Sequence, residues 1–353
     1  MSATLAAAEA PARSKRSKKL GRRRIAEVAR RIRRTVQVAF LLLNVWIGIE
    51  FYLFVRYYEL GGWGWKVSRP PGVEGWLPIA SLMNLKALLV TGELPSHHAA
   101  GLFLLIAFLT ISLAFRKSFC SWLCPIGTIS EALWRIGHST FGKSWRLPRW
   151  ADTLLRASKY ILLGLFLYAI GGMSAAAIRA FLDGPYGLIA DVKMLNFFRY
   201  LSVTAAVVLG VLALASIFVQ NFWCRYLCPY GALLGLLGRF SPVRVRRSPE
   251  LCIDCAKCAE ACPSWLPVDR LISVRSPECV ACYECVTACP AAGALEMTAA
   301  GRRRLPAWAM AVGIGLVFLG VVGYARWIGA WHSEIPDSVY FHLILRAHEF
   351  SHP

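Results

Sequence analysis

All twelve cysteines of the chain fall into four tight motifs, at spacings where thiolates bind iron. Cys252, Cys255, Cys258 and Cys262 form C-x2-C-x2-C-x3-C, followed by Pro263. Cys279, Cys282, Cys285 and Cys289 repeat the run before Pro290. Such runs suit [4Fe–4S] clusters and one-electron chemistry. Zinc modules usually pair two C-x2-C units and do not run three cysteines together, so the spacing favours clusters over zinc. Cys120/Cys124 and Cys224/Cys228 add two C-x3-C-P pairs, each just after a long apolar stretch. On a helix, positions i and i+4 share a face, so each pair should aim two thiolates the same way. Together the four could hold a third cluster or a metal ion. They could instead cycle as dithiols or pack as buried thiols.

The elements that must carry these motifs are mostly apolar. The chain has 353 residues and is 57% hydrophobic. Its mean hydropathy of +0.49 points to an integral membrane protein. Five stretches approach the length a bilayer core requires, near 35–57, 98–115, 158–180, 201–220 and 306–330. A sixth, 76–92, contains Pro78, Asn84 and Lys86 and reads as interfacial or re-entrant.

The net charge of +20 invites a nucleic-acid reading, but its distribution argues against one. With the N-terminus inside, inner loops hold 30 of the 40 Lys and Arg and outer loops hold 6, while acidic residues divide 11 to 8. That skew is the positive-inside pattern. It gives an N-in, C-out, multi-pass topology in a bacterial inner membrane, with lipid and not nucleic acid as the contact of the basic segment 1–34. Every cysteine then lies on the cytoplasmic, reducing side, where thiolates stay available for iron.

The two C-x3-C-P motifs repeat at a period of 104 residues, from Cys120 to Cys224. The period divides the chain into the basic segment 1–34, a first transmembrane hairpin with its motif (35–137) and a second (138–240). A 2[4Fe–4S] module (241–300) and a fifth transmembrane helix with an outer tail (301–353) complete it. The fold class expected is an all-α polytopic membrane protein carrying an inserted α+β module of bacterial ferredoxin type. In that module each run lends its fourth thiolate to the other cluster. Cys252, Cys255, Cys258 and Cys289 are assigned to one cluster, and Cys279, Cys282, Cys285 and Cys262 to the second.

Two C-x3-C-P pairs after apolar hairpins, then a double cluster run, resemble the NapH/NosR-type membrane iron–sulfur proteins. The likeness covers about residues 35–297, with all four motifs in order. That family includes membrane quinol dehydrogenase components, a nitrous-oxide reductase activator, the ferredoxin-type protein of methylamine utilisation and oxidase-assembly proteins. The resemblance implies electron transfer among the quinone pool, the clusters and a redox partner such as a periplasmic reductase or cytochrome. The short segments before the first and after the last apolar stretch suggest a compact branch without a flavin domain.

A quinol site needs a proton acceptor and an apolar, aromatic slot. Glu50 is the one acidic residue inside an expected span, and ionisable residues there are functional candidates. His98 opens the second span on the same side, and both are candidates for quinone chemistry. An ion pair of Glu50 with Arg56 or Arg179 is the plainer alternative. In the tail, His348 and His352 lie one helical turn apart, a pattern read as solvated or docking residues. No C-x2-C-H or convincing G-x-G-x-x-G occurs. The function expected is membrane-bound electron transfer of quinol dehydrogenase type. The alternative is a maturation or redox-sensing protein serving another enzyme's assembly.

Overall fold

The computed structural model describes residues 23–142, 145–300, 303–333 and 335–350. Residues 1–22 of the basic segment and His352 of the tail lie outside them.

The chain opens with α1 (Arg23–Glu59), whose 37 residues span roughly 55 Å at 1.5 Å per residue. A 3-10 turn over Pro71–Trp76 leads to α2 (Pro78–Thr91) and α3 (Ala99–Phe115). The first C-x3-C-P motif follows, on α4 (Phe119–Trp122) and α5 (Pro125–Phe141). Next come α6 (Arg149–Gly172), α7 (Ala175–Leu182), α8 (Pro185–Leu188), α9 (Ala190–Arg199) and α10 (Val203–Phe218). A π-type turn at Trp223–Leu227 then carries the second motif into α11 (Pro229–Gly238).

The cluster-binding segment starts with β1 (Arg244–Arg247) and passes through α12 (Lys257–Glu260) and α13 (Glu284–Ala288). It returns on β2 (Leu295–Ala299) and β3 (Arg303–Arg304). The three strands form one antiparallel sheet in the order β1-β2-β3, with Arg244 opposite Thr298. The chain ends with α14 (Ala307–Trp327) and α15 (Asp337–Leu345). A helical body with a small inserted α+β module is the architecture expected.

Among the described residues three helices, α1, α6 and α14, are long and apolar enough to cross a membrane. A fourth span exists if α9 and α10, bent by 81°, are counted as one. Leu42, Val45, Val207, Val211, Leu316 and Leu319 lie exposed on α1, α10 and α14, a lipid-compatible surface for a membrane protein.

The helix boundaries and pairings differ from the expected hairpins in two respects. The stretch 158–180 is not one helix: α6 stops at Gly172 and α7 begins at Ala175. The ammonium of Lys86 donates to the carbonyls of Ile170 (2.9 Å), Gly171 (2.8 Å) and Met173, capping the end of α6. The apolar stretch 98–115 becomes α3, only 17 residues long. Apolar all round, α3 is buried against α14, α2 and α11 and is not simply a partner of α1. Likewise α10 packs chiefly on α5.

One continuous core joins the membrane helices to the cluster module. It includes Phe103, Ile111, Trp122, Met310, Val245, Val274, Tyr283 and Met297. Directional contacts fix the joint further. Arg116 donates to the carbonyls of Val274 (2.8 Å) and Ser276 (2.6 Å). The Arg33 guanidinium bridges Glu131 (2.7 Å) and Glu284 (2.6 Å).

Candidate redox site

The two long cysteine runs share one backbone device. Asp254 and Ala256 in the first run, and Ala281 and Tyr283 in the second, have φ between 51° and 64°. These left-handed residues reverse the chain between successive cysteines, so that thiols three apart turn inward. Pro263 and Pro290 follow the last cysteine of each run and stop helix continuation.

Mutual perturbation among the thiols shows which of them stand near one another. Cys289 is raised by burial and then, apart from a backbone hydrogen bond that opposes the shift, by Cys255 and Cys252. Cys258 is raised by burial and, among the thiols, by Cys289. Cys285 is raised by burial and then by Cys282, Cys262, Cys279 and Cys258. Burial pushes Cys262 up to about 11, with Cys279 adding to the shift. Cys289 thus stands near Cys252, Cys255 and Cys258, and Cys262 near Cys279, Cys282 and Cys285, with the two sets adjoining at Cys258 and Cys285.

The C-x3-C-P pairs gather in the same way, but not on a single helix face. Cys120 lies in α4, whereas Cys124 is the N-cap of α5 with φ −63° and ψ 118°. Cys228 caps α11 with φ −76° and ψ 104°. The reason is the proline at the first helical position, which disfavours helical geometry in the residue before it. Each second thiol therefore sits at a helix N-terminus, where N–H groups favour a thiolate, although burial outweighs them at Cys124 and pushes it up to about 12. Gly231 N–H donates to Cys228 Sγ at 3.2 Å. Gly127, at the equivalent position, packs so tightly that a Cβ there would stand 2.3 Å from Cys120 O.

All four of these thiols border one cavity of about 1020 Å³. Its walls are apolar and aromatic, including Phe40, Trp46, Trp76, Phe108, Phe166 and Tyr230. Glu50 also lines it. Gln37 on α1 donates to the Ser121 carbonyl of the first C-x3-C motif at 2.9 Å, and Glu50 lies 13 positions further along, roughly 20 Å by helical rise. Cysteines and carboxylate therefore approach the cavity from well-separated levels.

Among the described residues Glu50 has no hydrogen bond or ion pair. The plainer alternative of a pair with Arg56 or Arg179 does not form, because Arg56 meets Glu59 at 3.6 Å and Arg179 pairs with Glu93.

His98 does not line the cavity. It is buried, with Nε2 2.8 Å from the Gly187 carbonyl and Nδ1 3.6 Å from Glu74. Glu74 in turn accepts from Arg69 at 2.7 Å, and Arg69 also holds Asp191 at 2.7 Å. Burial alone would raise Glu74, but the Arg69 guanidinium outweighs it and brings the carboxyl down to about 2. Arg69 does line the cavity, so His98 stands behind the wall through two contacts. The prolines after Arg69 were the available sequence signal for a fixed wall there, and the reading above passed over them.

A second, polar cavity of about 500 Å³ lies between the C-x3-C pairs and the cluster module. Cys120, Cys224 and Cys282 all border it, with Lys117, Asn221 and Glu278.

The donor chemistry fits iron–sulfur groups, since each set offers four soft thiolates. A zinc ion with Zn–S of about 2.3 Å would hold its sulfurs only about 3.8 Å apart. Among the described residues no three Cys, His, Asp or Glu side chains form a group able to hold a single metal ion.

Comparisons with known proteins agree. A family model described as a 4Fe-4S binding domain matches residues 98–144 and 201–248, one match per C-x3-C-P motif. A 4Fe-4S dicluster domain matches residues 244–299. The chain is 47% identical over 326 residues to the putative electron transport protein YccM of Escherichia coli (strain K12), covering 91% of each chain. It is 28% identical to the ferredoxin-type protein NapH of the same strain, over 52% of this chain and 59% of NapH. With the regulatory protein NosR of Stutzerimonas stutzeri it shares 32% identity, over 46% of this chain and 22% of NosR. No solved structure matches the chain. The chain belongs to the NapH/NosR-type family of membrane iron–sulfur proteins, an electron-transport family.

Proposed function

We propose that this family member exchanges electrons between the membrane quinone pool and a redox partner protein. The observation that carries the reading is the aromatic cavity that Glu50 shares with Cys120, Cys124, Cys224 and Cys228. Cys252, Cys255, Cys258 and Cys289 would hold one [4Fe–4S] cluster, and Cys279, Cys282, Cys285 and Cys262 a second. The four C-x3-C thiols would hold a third. When bound, such clusters supply one-electron storage and transfer.

The protein's own residues do the rest. Aromatic walls seat a flat ring and exclude water. The unpartnered Glu50 carboxylate is available to take a hydroxyl proton as quinol is oxidised. Oxidation releases two protons and two electrons per quinol; Glu50 accepts one proton at a time. His98 supports the wall through Glu74 and Arg69. At the far end Cys255 alone among the twelve cysteines is exposed, which suits a partner docking over residues 250–257.

The topology proposed is five crossings, N-in and C-out, in a bacterial inner membrane, with α3 as the short second crossing and the clusters facing the cytoplasm. The basic skew of the loops supports it.

The test is anaerobic mixing of the oxidised, cluster-loaded protein with menaquinol and ubiquinol analogues. Bleaching of the cluster absorbance within the mixing experiment is expected. If neither quinol reduces the protein and the dithionite-reduced protein reduces neither quinone, the reading fails.

A further inference from the structure

We infer that Lys117 is a positioning residue whose cavity-facing ammonium holds the negative charge of the four C-x3-C thiolates and stabilises the reduced state of the group they carry. The inference rests on the third-cluster reading above and adds to it a residue outside the cysteine motifs.

Lys117 is 4% exposed. Among the described residues it has no hydrogen bond or ion pair. Its stem is buried while its ammonium opens on the polar cavity, a placement that suits an anion held there. The Glu278 carboxylate acts on Lys117 through charge, second to Cys120, but makes no ion pair with it. Glu278 is taken by Lys159 at 2.6 Å and by the Tyr160 hydroxyl at 2.7 Å. The other buried cations on this cavity are also occupied: Arg225 holds Asp152 at 2.7 Å, and Arg33 holds Glu131 and Glu284.

What Lys117 faces instead is sulfur. It borders the polar cavity together with Cys120, Cys224 and Cys282. A Cβ placed at Gly231 would stand 3.4 Å from Lys117 Nζ and 3.5 Å from Cys228 Sγ, so ammonium and sulfur border the same small space. The glycines of α11 make the room. A Cβ at Gly235 would meet Lys117 Cδ at 3.6 Å, and one at Gly238 would meet Lys117 N at 2.9 Å.

The internal repeat sharpens the argument. A shift of 104 residues places Asn221 where the first copy has Lys117. One copy thus supplies a full charge and the other a neutral amide, and both border the cavity. Packing alone would not require this asymmetry. Net charge and hydrogen bonding around the sulfurs set the potential of an iron–sulfur group, and a fixed cation favours the more negative, reduced form.

The experiment uses the full chain, purified anaerobically as wild type, K117M and K117R. Iron per chain and a potentiometric EPR titration are recorded for each. Wild type should hold about twelve irons. In K117M one couple should move to lower potential, with the reduced-to-oxidised ratio at the wild-type midpoint falling tenfold or more, about 59 mV for a one-electron couple. The other couples should stay in place, and K117R should stay near wild type. K117M that falls to about eight irons while K117R keeps about twelve supports the same role, because charge and not shape rescues assembly. Unchanged midpoints in K117M at about twelve irons overturn the inference, as does equal loss of iron in both variants. Wild type with about eight irons refutes the third cluster itself and the inference with it, a separate and recognisable failure.

Discussion

The indole Nε1 of Trp122 donates a hydrogen bond to the main-chain oxygen of Ala281 at 3.1 Å. Trp122 lies between Cys120 and Cys124, and Ala281 between Cys279 and Cys282. One fully buried side chain therefore ties a membrane-side cysteine motif to a cluster-module loop, at a residue held with φ 51°. Trp122→Phe keeps an aromatic ring but leaves that carbonyl without its indole partner. A loss of about 1–3 kcal/mol is expected. Limited proteolysis should then cut within 250–300 sooner than in wild type. Unchanged cleavage would show that the shared core alone fixes the joint.

Glu131 gives a pH signature. Burial alone would raise it, but Arg33, with Gln37 and Arg135, outweighs burial and brings the carboxyl down to about 2 from an ordinary 4.5. A carboxyl depressed by folding stabilises the protein fully above its unfolded value and loses that contribution as pH falls through the folded value. The melting-temperature gap between wild type and Glu131→Gln should therefore be full above about pH 5 and shrink toward pH 2. At most about 3 kcal/mol is involved. A gap independent of pH between 6 and 3 would mean that Glu131 acts through packing.

Glu50→Gln should slow quinol-driven reduction on the order of 100-fold, the typical worth of a positioned proton acceptor. Cluster content and reduction by dithionite should be unaffected. Stopped-flow absorbance reads both, and a rate within about twofold of wild type would remove Glu50 from the proposal.

Gly127→Ala tests the C-x3-C-P turn. Its Cβ would fall 2.3 Å from Cys120 O, and a backbone atom cannot easily give way. Iron should drop from about twelve to about eight per chain, with the ferredoxin-type EPR signals retained. Gly142→Ala serves as a contrast, because nothing lies within 4 Å of a Cβ there, although φ of +65° adds local strain.

Much of this was legible in the chain itself because cysteine chemistry is local. The spacing of Cys252 to Cys262 and of Cys279 to Cys289 encodes turns that need only a few residues to form. Other features depend on contacts between distant segments. That α14 would pack along α3 is not encoded by either helix, since both are simply apolar. The end of α6 at Gly172 depends on Lys86, 86 residues earlier. His98 looked like an interfacial base by its position, but its surroundings include Gly187 and Glu74, which no local pattern links to it. Lys117 had a weak local signal, a charge adjoining a cysteine motif; that it makes no ion pair of its own appears only once Lys159 is seen to hold Glu278.

The common core and the Arg33, Arg116 and Trp122 contacts also bear on kinetics. A carrier fastened on so many sides cannot swing like a tethered shuttle, so donor and acceptor spacings inside the molecule are constants. Raising solvent viscosity with sucrose should then leave internal reoxidation rates unchanged and slow only encounters with a soluble mate. The protein would behave as a fixed terminal, with all the travelling done by whatever arrives at its exposed end.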